Sequence, residues 1–414
     1  MKKGLIYSAL IFLSSSFLVS NSSENLVDLI TKKLQNYSEV GWPEKVYLHT
    51  DKDLYLANET IWFSAYLVNG ITNQKSTKSA VLHVELINDK DSIISKRKLY
   101  LEDISTGGDF KIEKEWKKGK YLLRAYTNYM RNEDPTYFFK KEIDIWEVSK
   151  NENSKALSIG ELSEKSTNTN RPDLHFYPES GYLVENLTSK VAIKIKDDIY
   201  DKNHLSGYIV DNEDTFISDF KTSDYGLSYF FITPKPNKTY YANIELNDSV
   251  YKYKLPQALP LGYNISVSQK SNQLLIDIKT TKYEGLSGSY LILHQRGDIL
   301  YEKLETNNKN NYTVSLSTQD LKDGVTHITL FDPKGKPVCE RLVFIENSKN
   351  KATIKIEKNK EILATKEKVV LQLYVDDHKE RSLPSHLSLS VRNSNTIHYN
   401  SNSQNIKTWL LLNF

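Results

Sequence analysis

The feature that most constrains this chain is a two-residue alternation of apolar and polar side chains that restarts about every ten residues. It shows first in 44–70, EKVYLHTDKDLYLANETIWFSAYLVNG, where two strand-like runs flank a polar turn. In the second run Ile61, Phe63, Ala65 and Leu67 alternate with Trp62, Ser64, Tyr66 and Val68. A two-residue period places alternate side chains on opposite faces of a strand. Repeated almost to the C-terminus, it predicts an all-β chain of macroglobulin- or immunoglobulin-like sandwiches in tandem. At 414 residues the chain suits three or four units of about 100 residues each. The hydrophobic content of 39% is low for a single large core but fits small sandwiches, whose outer sheet faces are wet. The 27 tyrosines fit the same reading, because Tyr suits half-buried strand positions.

The N-terminus predicts export. Lys2 and Lys3 precede an apolar stretch from Leu5 to Val19, the pattern of a signal peptide over 1–22. That stretch is shorter than the roughly 20 residues that span a bilayer as a helix. The chain has one cysteine, Cys339, so it forms no internal disulfide and no thiolate metal cluster. An exported, disulfide-free, Lys- and Asn-rich chain points to a bacterial envelope. The net charge of +3 gives no general argument for nucleic acid or acidic membranes.

Apolar residues at Leu26, Leu29, Ile30 and Leu34 have a helical period, giving a short helix and lead-in over 23–42 that Gly41 and Pro43 end. A β unit follows over 43–148, with turns expected at Asn69-Gly70, Asn88 to Asp91, Gly107-Gly108 and Lys118-Gly119. The segment 149–172 is polar and reads as a linker. Further β units are expected over 173–260 and 261–347. The last, 348–414, alternates through Leu371, Leu373 and Val375 and again through Leu387, Leu389 and Val391. It is short for a complete sandwich. Its apolar end, Trp409 to Phe414, is expected to lie uncovered.

No catalytic constellation emerges. There is no G-x-S-x-G elbow, H-E-x-x-H pair, Walker A or G-x-G-x-x-G motif. Asp51, Asp53 and Glu59 fail the spacing of a calcium loop. Cys339 reads as a packing residue. His49, on a strand beside Asp51, reads as part of a polar network. Arg124 reads as one half of a cross-strand charge pair or as a hydrogen-bond donor to a loop, and Glu179 as a carboxylate capping a turn.

Some of these residues carry a resemblance. Glu44 to Lys52 followed by Asn58-Glu59-Thr60-Ile61-Trp62-Phe63 resembles the opening of macroglobulin-like domains in large exported Bacteroidetes proteins, with Asn58 where Gly is usual. Gly119 to Asn132, GKYLLRAYTNYMRN, is similar to the exit of such a domain, with Tyr129 where Trp is commoner. Phe176 to Gly181, FYPESG, resembles the start of the next unit. Thr329-Leu330-Phe331-Asp332 with Glu340 to Phe344 resembles a later close. The resemblance singles out His49, Asp51, Trp62, Arg124, Tyr126, Asn128, Arg131, Pro178, Glu179, Gly181, Glu340 and Arg341, as structural motif residues rather than catalytic ones. Longer members continue into a plug-like domain of the TonB-receptor type. The thioester Cys of true α-2-macroglobulins is absent, since Cys339 stands in Val338-Cys339-Glu340-Arg341.

The expectation is therefore a non-enzymatic scaffold or binding protein of the periplasm or outer membrane of a Gram-negative cell. It would act on a protein partner of that envelope, with no nucleic acid and no cofactor. The alternative is a macroglobulin-like endopeptidase inhibitor lacking the thioester, with 149–171 as bait.

The 149–171 segment has little apolar area to offset an ordering cost of about 1–2 kcal/mol per residue. Limited trypsin digestion should cut first at Lys150, Lys155, Lys165 or Arg171. First cuts within 45–130 would remove the linker from this reading.

Overall fold

Alternation becomes strand wherever one side of the run can be buried. The computed structural model describes residues 26–146, 171–195, 205–223, 226–246, 249–392 and 404–412. The signal-peptide reading and all but the last two residues of the linker lie outside them. The first sandwich holds β1 (Glu44–Thr50), β2 (Leu54–Leu56), β3 (Thr60–Asn69), β4 (Val81–Ile87), β5 (Ile93–Tyr100), β6 (Ser105–Lys111), β7 (Gly119–Thr127) and β8 (Phe139–Trp146). They form one sheet in the order β1-β3-β6 and another in the order β2-β8-β7-β4-β5. Only β2 and β8 pair in parallel. The inward residues Val46, Leu48, Ile61, Phe63, Leu82, Val84, Leu123 and Ile143 meet in one core.

Two local features explain the sequence here. Asn58 adopts φ 68°, the left-handed region in which Gly and Asn are tolerated best, so an Asn can close this turn. Gly107-Gly108, expected to be a hairpin turn, lies in the middle of β6 opposite Ser64 and Phe63. A Cβ on Gly108 would fall 2.5 Å from Cζ of Phe63, so the missing side chain makes room for the ring. A double glycine marks close approach as well as a turn, and the alternation of β3 cannot tell the two apart.

The second sandwich packs β9 (Leu174–Pro178), β10 (Ser189–Ile195) and β13 (Leu227–Ile232), in the order β13-β10-β9, against β11 (Ser206–Asp211), β12 (Phe216–Lys221), β14 (Tyr240–Leu246) and β15 (Ser249–Lys254), in the order β12-β11-β14-β15. The third packs β16 (Tyr263–Lys270), β17 (Gln273–Thr280) and β20 (Asn311–Ser317), in that order, against β18 (Tyr290–Gln295), β19 (Asp298–Leu304), β21 (Gly324–Phe331) and β22 (Pro337–Ile345), in the order β19-β18-β21-β22. Each has its own core, and Cys339 is buried in the third. Burial pushes its thiol pKa well up, so it stays protonated and inert.

Beyond Ile345 the chain forms a lone hairpin, β23 (Thr353–Lys358) with β24 (Leu371–Asp376). The expected strand through Leu387 and Val391 is not part of it. Residues 383–392 run unpaired in any ladder to the first sandwich, where Ser388 Oγ lies 2.5 Å from His49 Nδ1 and Arg392 lies 3.7 Å from Asp53.

Helix α1 (Leu26–Glu39) ends on the β18–β19 turn, where Gly297, at φ +91°, would bring a Cβ within 2.7 Å of Ser38. The apolar C-terminus corrects the expectation of an uncovered tail. Ile406–Leu412 is helix α2, and Trp409 packs edge-on against Phe139 of the first core at 5.2 Å. Lys45 Nζ donates to Leu410 O at 2.9 Å. Apolar residues in consecutive positions fit one face of a helix only partly, so Ile406 and Leu412 stay exposed while Trp409 anchors.

Phe63 is 4% exposed and Trp62 58%, so adjacent substitutions should separate cleanly. Phe63→Ala should cost about 3–5 kcal/mol in urea unfolding and Trp62→Ala less than about 0.5. Trp409→Ala, or deletion of 405–414, should lower the melting temperature of the first sandwich. An unchanged midpoint would detach α2 from that core.

Candidate functional site

The residues singled out by sequence fall into three polar clusters, none of them catalytic in geometry. In the first, Arg124 donates through Nε and Nη2 to Glu85 Oε2 at 3.0 and 2.6 Å, and Tyr126 OH donates to Oε1 at 2.9 Å. Glu85 lies opposite Arg124 on β4, so the pair is cross-strand. Tyr126 stacks between His83 and Phe138. Arg131 lies in the 3₁₀ turn that follows.

In the second cluster Asp51 Oδ1 accepts from Tyr55 OH at 2.6 Å and from the Trp62 amide at 3.1 Å, pinning the β1–β3 corner. Burial, with Lys141 and Arg392 nearby, lowers the His49 pKa and keeps the ring neutral near pH 7. Asp53 pairs with Lys141 at 2.7 Å, and Glu59 pairs with Lys52 at 2.7 Å. The three carboxylates therefore serve separate partners. Among the described residues no group of three His, Cys, Asp or Glu side chains is placed to hold a metal.

The third cluster joins two sandwiches. Glu179 forms an ion pair with Arg341 of the third sandwich at 3.2 Å and accepts from the Val267 amide at 3.3 Å. Ser180 Oγ donates to Ile265 O and accepts from the Ile265 amide, at 2.9 and 2.7 Å. Pro178, which ends β9, and Gly181, at φ +89°, shape the turn between them. Glu179 thus caps no turn of its own unit but docks the next one. Glu340, which precedes Arg341 in β22, accepts from Thr329 Oγ1 at 3.2 Å and pairs with His327 at 3.1 Å. His327 stacks on His294, whose pKa burial lowers to about 4.

A cavity lies elsewhere, where α1, α2 and the start of β1 meet. It measures about 340 Å³ and is lined by Tyr37, Pro43, Lys45, Tyr129, Tyr137, Trp409 and Leu412, among others. Its walls are set by the second face of β1. Glu44, at the mouth of that strand, is buried and accepts from the hydroxyls of Ser76, Ser79 and Thr127. Lys78 donates to Val40 O, Trp42 O and Tyr129 OH, tying the exit of α1 to the motif that ends β7. Burial, and then the Arg296 guanidinium, lowers the Lys45 pKa to about 7. Burial followed by Tyr137 and Glu133 raises that of Tyr37. The arrangement can hold a small apolar group beside an amine poised between charged and neutral; it contains no nucleophile–base pair. Sequence reasoning missed this cavity because its walls come from segments some 365 positions apart. The available signal was a Lys beside the apolar run Val46-Tyr47-Leu48 in a strand buried on both faces.

No family model matches the chain, and no curated protein does. Similar solved structures include Salmonella α-2-macroglobulin reacted with methylamine, at 11% identity over 82% of this chain and 26% of that one, with a TM-score of 0.23. The native conformation of Escherichia coli α-2-macroglobulin is 10% identical over 82% of this chain and 25% of that one, with a TM-score of 0.22. The BSP domain of a biofilm associated protein is 11% identical over 77% and 70%, with a TM-score of 0.23. This chain spans about a quarter of the length of the two α-2-macroglobulins. Likeness at these scores carries no argument, and the fold class stands on the paired sheets described above.

Lys45 supplies a pH signature. Its folded pKa of about 7 lies below the ordinary value of about 10.4, so the unfolded chain binds more protons between those limits. Its contribution to stability therefore rises as pH rises from about 7 towards 10. The stability of the natural chain relative to Lys45→Met should increase over pH 7 to 9.5 in urea titrations. A flat difference would place the Lys45 amine in water.

Proposed function

We propose that this protein is a non-enzymatic, exported scaffold of a bacterial envelope that holds a protein partner by strand addition to the β23–β24 hairpin. One observation carries the reading. Ile354, Ile356, Leu371, Leu373 and Val375 share one face of the hairpin, by the pairings Ile354 with Val375, Ile356 with Leu373 and Lys358 with Leu371. The first four of these are exposed. Lys355, Glu357 and Gln372 occupy the other face. Such a hairpin has the amphipathic pattern of half a sandwich without the opposing sheet.

Its edges are open as well. The outer edge of β24 is met only near Val375 and Asp376, by Ser382 and Leu383. Among the described residues β23 has no outer neighbour. Two strands alone are marginal in water, and exposed ladders with an apolar face recruit a further strand. An extended segment alternating apolar and polar residues would satisfy both the edge and the face. The signal-like N-terminus supports an envelope location, and the motif resemblance supports kinship with macroglobulin-like Bacteroidetes proteins and their outer-membrane machinery.

A photoreactive residue at position 356, in the chain produced in its own cell, should yield one discrete adduct in the envelope fraction. Leu373→Asp should abolish that adduct and leave the melting temperatures of the three sandwiches unchanged. Recovery of the chain in the cytosol, or an adduct indifferent to Leu373→Asp, would sink the proposal.

A further inference from the structure

The outer face of the β13-β10-β9 sheet has a composition that a soluble sheet seldom leaves in water. Register places three rows across it: Leu227, Lys194 and His175; then Tyr229, Ala192 and Tyr177; then Phe231 beside Lys190. Tyr177, Tyr229 and Phe231 are 53%, 56% and 56% exposed, although the same strands bury Val191, Ile193 and Phe230 on the opposite side. An exposed apolar patch of this kind marks a binding surface.

The middle row forms a slot. Tyr177 and Tyr229 stand on strands either side of β10, with the exposed Ala192 as floor between them. Two strand spacings put their backbones about 10 Å apart. Stacking a ring between two aromatic faces takes about 7–8 Å, two carbon contacts of ~3.5–4.0 Å each. The spacing therefore leaves the width for one ring above Ala192, and any larger residue there would occupy it.

Charge narrows the ligand. Lys190 and Lys194 lie two residues on either side of Ala192, each about 6.6 Å along the strand from the slot. Lys190 Nζ rests 4.0 Å from the Tyr229 centroid, and neither lysine forms an ion pair among the described residues. Asp173 pairs with His175 at the margin of this grid, and Glu179, whose amide donates to Lys190 O, has its carboxylate taken by Arg341. Tyr229 and Leu227 also border an open groove of about 640 Å³ whose other lining includes Ser206, Ser228, Asp219 and Lys221. The hydroxyls of Ser206 and Ser228, with the Asp219 and Lys221 side chains, suit a hydroxyl-rich ligand there.

We infer that this face binds an anionic polysaccharide, with one sugar ring stacked between Tyr177 and Tyr229 and the acidic groups of its neighbours paired with Lys190 and Lys194. Single-stranded nucleic acid also stacks on aromatic side chains, but it is held by a groove of many cations tracking a phosphate at every nucleotide. Two lysines flanking one slot match a sparser charge. The inference is independent of the β23–β24 hairpin, which lies outside the second sandwich.

Isothermal titration of the whole chain with polygalacturonate, alginate, neutral dextran and oligo(dT) tests it. Binding to at least one of the two acidic polysaccharides is expected, weakening with added salt, with no binding to dextran. Tyr229→Ala, Ala192→Leu and the pair Lys190→Gln with Lys194→Gln should each lower affinity by about tenfold or more, a loss of about 1.4 kcal/mol. All lie on the exposed face, so the melting temperature serves as the folding control. No binding to either acidic polymer, equal binding to dextran, tighter binding to oligo(dT), or variants that fold and bind like the natural chain would overturn the inference.

Discussion

The first sandwich depends on a buried carboxylate. Glu44 opens β1 inside the protein, where an unpartnered charge would cost several kcal/mol. Hydroxyls from Ser76, Ser79 and Thr127 supply its hydrogen bonds, so one side chain fixes the loop before β4 and the end of β7 relative to β1. The Met130 amide donates in turn to Thr127 Oγ1, which sets the 3₁₀ turn and its buried Met130. Trp42, Lys78 and Tyr129 then close over the same corner. Both helices are seated around it.

The sandwiches are joined by polar contacts more than by shared core. Ser180 and Glu179 dock the second on β16 and Arg341 of the third. Tyr182 OH adds a bond to Val338 O at 2.5 Å. Between third and first, Arg296 donates to Ile71 O at 2.9 Å from the same turn on which α1 rests. Directional bonds of this kind fix orientation with little buried apolar area, and each is costly to break once buried. They hold the arrangement while leaving the outer face of the β13-β10-β9 sheet and the apolar face of the last hairpin exposed.

Function follows from what those joints leave open. Every carboxylate, histidine and cysteine that sequence marked as a candidate is engaged in structure: Asp51 with Tyr55 and Trp62, Glu179 with Arg341, Glu340 with His327, Cys339 in a core. What remains exposed is apolar and aromatic surface on the second sandwich and the last hairpin, and both proposed binding faces rest on it.

Sequence by itself determined most of the strands, because a two-residue period admits only one face to a core; the same period through Leu387, Leu389 and Val391 met no neighbouring strand and formed no ladder. Sequence narrowed Arg124 to a cross-strand charge pair or a loop contact, and Glu85 opposite it on β4 decided for the pair. It could not separate the two meanings of Gly107-Gly108, turn or contact, because that depends on Phe63 in another strand. Nor could it seat Trp409, whose cover comes from Phe139 and Lys45 hundreds of positions away. The same limit applies to Glu179, read as a local cap and found bridging units. Local periodicity records which face of an element is buried; which element buries it is decided only when distant segments meet.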